Sequence, residues 1–99
     1  MADIKHYMGE TGLLVVLNMN EDVSTANLAE IRVKKPDLTE VTWSAVPYSV
    51  AGVPNYILHT TEVSDLDQSG VYELQAYVRM PDWAGIGETA KWVVYHRYE

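Results

Sequence analysis

Hydrophobic and polar residues alternate along much of this chain. Over residues 28 to 34, Ala29, Ile31 and Val33 fall on one side, and Glu30, Arg32 and Lys34 on the other. That two-residue period belongs to a strand with one face in a core and one in water. Residues 71 to 80 carry the same pattern further: Tyr72, Leu74, Ala76, Val78 and Met80 alternate with Val71, Glu73, Gln75, Tyr77 and Arg79. Residues 39 to 46 put Val41, Trp43 and Ala45 on a shared face, and Pro47 ends that strand or marks a sheet edge. Residues 11 to 19 read as an apolar, partly β-branched strand, 55 to 63 as another and 88 to 98 as the last. A short strand over 3 to 8 raises the count from six to seven.

The intervals read as turns. Asn20-Glu21-Asp22 breaks the first long strand, and Val23 to Asn27 suits one helical turn capped by Ser24 or Asn20, too short for a stable helix. Pro36-Asp37 starts a turn, residues 49 to 54 form a link around Gly52 and Pro54, and residues 65 to 70 and 81 to 87 form loops. No segment holds a helical period for ten residues. Six or seven strands between evenly spaced turn signals predict an all-β antiparallel sandwich, with a closed barrel as the alternative. At 99 residues the chain is expected to be one domain, 1–99.

One stretch narrows the architecture. Asp67-Gln68-Ser69-Gly70-Val71-Tyr72-Glu73-Leu74 resembles the run into a late strand of an immunoglobulin domain. There, a tyrosine at the strand start hydrogen-bonds back to the preceding turn, and a disulfide cysteine follows two residues later. Here that position is Leu74. A buried leucine contributes about 1.5–3 kcal/mol, comparable with a disulfide acting by another route. Trp43, inward on an earlier strand, would be the core tryptophan. The resemblance implies an immunoglobulin-like sandwich of six or seven strands with no disulfide.

Composition changes the picture mainly by exclusion. There are no cysteines, so no disulfide framework, thiolate zinc site or cysteine nucleophile is available. The formal net charge is −7, from seven basic and fourteen acidic residues spread along the chain. Such a field repels phosphate backbones, so nucleic acid is not expected as a partner. No apolar run approaches a membrane helix, and the start lacks an apolar core of signal-peptide length. A soluble chain with no membrane partner is expected.

The order of short motifs resembles a group of immunoglobulin-like sandwich modules in tailed-phage virion proteins, including amino-terminal modules of baseplate and receptor-binding components. The residues that carry it begin with Asp22-Val23-Ser24-Thr25-Ala26, then Ile31-Arg32-Val33-Lys34-Lys35-Pro36-Asp37 and Val41-Thr42-Trp43-Ser44-Ala45. Tyr56-Ile57-Leu58-His59-Thr60-Thr61 and Asp65-Leu66-Asp67-Gln68-Ser69-Gly70 follow. Tyr72-Glu73-Leu74-Gln75-Ala76-Tyr77-Val78 and Gly87-Glu88-Thr89 complete the order. Leu38 departs from the pattern, which commonly has glycine after the Pro-Asp turn. The resemblance implies a non-catalytic structural protein of the virion, serving as a head or neck decoration or a tail or baseplate module. Its partners would be other virion proteins and copies of itself, as trimers or hexamers, and it brings no cofactor and no catalytic residues. The alternative function is a carbohydrate-binding module.

Candidate chemistry is sparse. His6, His59 and His96 lie on the first, middle and last strands with no ligand spacing, and read as separate side chains. Asp65, Asp67 and Ser69 resemble the start of a calcium loop, with Glu73 at the ninth position, but Ala76 stands where a bidentate glutamate is needed. An Asx-type turn accounts for the same residues. There is no nucleophile elbow, phosphate loop or dinucleotide fingerprint. The surplus is aromatic: three tryptophans and seven tyrosines, side chains suited to partly wet contacts. Trp83 and Ile86 in the 81 to 87 loop, Tyr77 on the polar side of its strand and Tyr95 near the end are the interface candidates. Trp83 has three readings: a docking tip, a cap folded over one end of the sandwich, or a platform for a sugar ring beside Asp82.

Overall fold

In the computed structural model, which describes residues 6–96 and 98, eight strands form two packed sheets. In chain order they are β1 (His6–Tyr7), β2 (Leu14–Asn18), β3 (Leu28–Lys34), β4 (Glu40–Ser44), β5 (Val46–Val50), β6 (Val53–Thr60), β7 (Gly70–Arg79) and β8 (Ala84–Tyr95). The larger sheet runs β1-β8-β7-β3-β4 and the smaller β2-β6-β5. These are two open sheets and not a closed barrel.

The alternation builds the core between them. Ala29, Ile31 and Val33 of β3, Trp43 of β4, and Tyr72, Leu74, Ala76 and Val78 of β7 are all buried, and Met80 continues that row. From the smaller sheet come Val15, Ile57 and His59. Val23 and Leu66, each in a connecting segment, join the same buried cluster. Each buried Val, Leu, Ile or Met among them contributes about 1.5–3 kcal/mol by leaving water. Tyr72 makes the expected corner: its hydroxyl donates to the Gln68 carbonyl at 3.0 Å and accepts from the Gln68 amide at 3.1 Å. Beside it, Lys35 reaches Asp67 at 2.7 Å, which ties the end of β3 to the loop before β7.

Four expectations change. The sandwich is not wholly antiparallel, because β1 runs parallel to β8, with His6 opposite Val94 and Tyr7 opposite Tyr95. Residues 3 to 5 of the expected first strand lie outside the described residues. The link over 49 to 54 is a hairpin between β5 and β6, and it brings the count to eight strands. Its turn, Ala51-Gly52, has φ of 50° and 80°, the left-handed pair that a two-residue hairpin needs. The expected loop 81 to 87 is shorter: Arg79 pairs with Ala84, and the Met80 amide donates to the Trp83 carbonyl at 2.6 Å, so the chain reverses over Pro81-Asp82. Gly85 and Gly87 suggest a loop but are strand glycines at close approaches. A Cβ on Gly85 would lie 2.5 Å from the Trp83 ring, and one on Gly87 would lie 3.2 Å from the Met19 sulfur. Last, β8 ends at Tyr95, short of the expected 98; Arg97, in the remainder of that span, is outside the described residues.

Smaller departures follow local chemistry. The turn at Val23–Ala26 is capped by Asp22, whose Oδ1 accepts from the Ser24 amide at 2.9 Å and its hydroxyl at 2.7 Å, and not by Ser24 or Asn20. Pro47 does mark a sheet edge, as one of its two readings had it: it sits on β5, an edge strand, where a missing amide is tolerated.

Candidate functional site

The outer face of the larger sheet carries most of the interface candidates. Tyr77 on β7 lies directly opposite Ile86 on β8, and the Arg32 guanidinium covers the Tyr77 ring at 4.2 Å from its centroid. Arg32 also approaches Glu30 at 3.6 Å. Between Gln75 and Tyr77 the register shifts, and Gln75 Nε2 donates to the Gly87 carbonyl at 3.1 Å, satisfying the irregular stretch of β8. Further along comes a row of alternating charge, Lys91 opposite Glu73, Glu73 opposite Lys34, Lys34 opposite Glu40. Such pairs give a sheet face that water tolerates well. Beyond that row, Val71 lies opposite Val93, and Tyr95 lies opposite Tyr7 with ring centroids 6.1 Å apart.

The four candidates therefore do not form one continuous surface. Tyr77 and Ile86 are neighbours. Tyr95 is nine residues along β8 from Ile86, roughly 30 Å at strand rise, with the charged row between. Trp83 belongs to the other face of β8. It stands opposite Met80, a buried residue, and its ring covers Gly85 on the core-facing side. The ring lies against Gly85 while remaining 41% exposed. The reversal at Pro81-Asp82 explains this, since it sets Trp83 in the same alternation as Gly85 and Gly87.

The candidate polar groups are tied into the fold. His59 is buried; its Nδ1 donates to the Ser44 carbonyl at 2.6 Å, its Nε2 pairs with the Asp65 carboxylate at 2.8 Å, and its ring stacks on Trp43 at 4.9 Å. With both nitrogens engaged, the ring has none left for a substrate. Asp65 Oδ2 also accepts from the Glu62 amide at 2.8 Å, while Asp67 turns to Lys35. The two carboxylates of the calcium-like stretch thus serve different partners. Among the described residues, no three His, Asp or Glu side chains come together as a metal site. His6 contacts Glu10 at 3.4 Å and packs edge-on against Trp92. His96 follows β8 and is exposed.

A second surface escaped the sequence reading. The outer face of the smaller sheet sets Val16 of β2, Leu58 of β6 and Val46 of β5 in one row, with Asn18, Tyr56 and Tyr48 in the next. Leu14, Val16, Val46 and Tyr48 are exposed. None of the residues in these three strands is Asp, Glu, Lys or Arg. The available signal is the uninterrupted run Leu13-Leu14-Val15-Val16-Leu17, which lacks a polar side; a strand of that composition is apolar on both faces.

In comparisons with protein-family models, curated proteins and solved structures, nothing matches this chain.

Proposed function

We propose that this chain is a non-catalytic, immunoglobulin-like module of a tailed-phage virion, a head or neck decoration or a tail or baseplate part, acting through contacts with other virion proteins and with itself. The observation that carries the contact reading is where the apolar side chains are left. Val16, Val46 and Tyr48 on one outer face, and Val71, Ile86 and Val93 on the other, stay exposed. The polar groups that a catalyst would draw on, His59 and Asp65, are instead engaged in structural hydrogen bonds.

Strand order supports the immunoglobulin-like part. β8-β7-β3-β4 against β2-β6-β5 follows the arrangement of a variable-type domain, with β4 as the added strand beside the central three. The Tyr72 corner lies two residues before buried Leu74, as the pattern asks. Trp43 departs from it, since it occupies β4 and stacks on His59 instead of sitting on the central strand β3. The virion part rests on the motif order from Asp22 to Thr89.

Purified phage particles carrying this gene test the proposal by mass spectrometry and electron cryomicroscopy. The expected result is the chain at fixed stoichiometry, with sandwich-sized density at one structural position. Particles that lack it overturn the virion reading. A glycan array with the wild type and Trp83→Ala tests the carbohydrate alternative: specific binding that is lost in the variant would reassign the protein to that class.

A further inference from the structure

We propose that the outer face of the smaller sheet is a homodimer interface, at which two copies of the chain pack β2-β6-β5 against β2-β6-β5 about a two-fold axis. This rests on reading the chain as a protein-contact module, and it replaces Tyr77, Ile86, Trp83 and Tyr95 as the place where copies first meet.

The contrast between the two outer faces is the starting point. The larger sheet meets water with Lys91, Glu73, Lys34 and Glu40 in a row of alternating sign. The smaller sheet presents Val16, Leu58 and Val46 in the equivalent place, with Leu14 and Tyr48 exposed beside them. An apolar sheet face of this kind marks an interaction surface.

Charge selects the occupant. The chain carries a net −7, and like-charged copies repel wherever their charged groups are brought together. Strands β2, β5 and β6 contain no Asp, Glu, Lys or Arg, so copies meeting there keep their charges at the rim and on the far sheets. A basic partner would instead be met by a face displaying acidic groups. An uncharged apolar face is also self-complementary, which a two-fold interface requires. Stacking two such faces repeats the sheet-on-sheet packing that already holds the sandwich together.

The area fits a weak pair. Three strands about 4.8 Å apart, with side chains at their flanks, and the eight residues of β6 give a face of roughly 20 by 27 Å. That is on the order of 500 Å² per copy and about 1,000 Å² for the pair, the lower limit for a specific interface. The dimer is therefore expected in the micromolar range, tightening with salt as the repulsion is screened.

Sedimentation velocity of the purified chain, across concentration at low and high salt, tests this. The variants are Val46→Asp and Leu14→Asp, at exposed positions, with Ile86→Asp as the control on the other sheet. Circular dichroism spectra of the variants should match the parent, as should urea midpoints taken at concentrations where the parent is monomeric. The expected result is a concentration-dependent dimer, weakened about a hundredfold or more by either aspartate on the smaller sheet and unchanged by Ile86→Asp. A monomer at every concentration and salt overturns the proposal, as does an oligomer that survives Val46→Asp and Leu14→Asp. A monomer that binds neutral phosphatidylcholine vesicles would assign the face to lipid and also overturn it. Each of these failures leaves the virion reading standing, since particle composition tests that separately.

Discussion

Tyr72 concentrates several roles in one residue. Its ring lies fully within the core, and its hydroxyl closes the turn by bonding both polar groups of the Gln68 backbone. Tyr72→Phe keeps the ring and leaves those two backbone groups short of a partner, a cost of about 1–3 kcal/mol. Urea denaturation should show a lower midpoint with an unchanged slope. The phenol also links stability to alkaline pH. Burial pushes its ionisation above the ordinary tyrosine value, with the carboxylates of Asp67, Asp37 and Asp65 adding to the shift against the opposing Gln68 hydrogen bond. The folded state therefore holds this proton more tightly than the unfolded state. The contribution is complete below about pH 10 and is lost as pH rises through the raised folded value. Unfolding midpoints measured across that range should fall more steeply for the wild type than for Tyr72→Phe.

At the scale of elements, two turn positions should respond in opposite directions. Leu38, in the turn between β3 and β4, has φ of 72° with its side chain exposed. A leucine in this left-handed conformation is strained and gains little from packing in return. Leu38→Gly removes the strain at the cost of a more flexible unfolded chain, with an expected net gain of about 0.5–1 kcal/mol. Gly70 opens β7 at φ 128°, and a Cβ there would sit 2.8 Å from the Pro36 side chain. Gly70→Ala meets both the backbone strain and the contact, for an expected loss of about 1–3 kcal/mol. Thermal unfolding of the two variants beside the parent checks both; shifts of the same sign would contradict this account of the turns.

At the scale of the whole molecule, the two sheets are joined without a covalent staple. The contacts across the gap are side chains such as Leu74 from one sheet and Ile57 from the other, both in the central cluster. Leu74→Ala opens a cavity between the sheets, and the expected cost is about 2–5 kcal/mol, a large share of the stability of a domain this size. Equilibrium denaturation with full recovery on dilution measures it. An unchanged midpoint would mean that the sheets are held by something other than this core.

The sequence by itself determined that the chain is all-β, and which faces of the strands at 28 to 34 and 71 to 80 turn inward. The alternation at 28 to 34 and at 71 to 80 is a local two-residue period, and it needs no knowledge of partners to be read. The Tyr72 corner was legible for the same reason, because its hydrogen bonds close within four residues. Tertiary structure alone decided the rest. The parallel pairing of β1 with β8 joins opposite ends of the chain, and no local pattern encodes it. Glycines at 85 and 87 resemble loop residues until the Trp83 ring and the Met19 sulfur are placed over them. Asp65 and Asp67 resemble metal ligands until one meets His59, six residues earlier, and the other Lys35, from a distant position in the chain. The apolar outer face of the smaller sheet was hidden in a run that reads only as buried strand. Whether both sides of such a strand are covered depends on what packs there, and here the larger sheet covers one side alone.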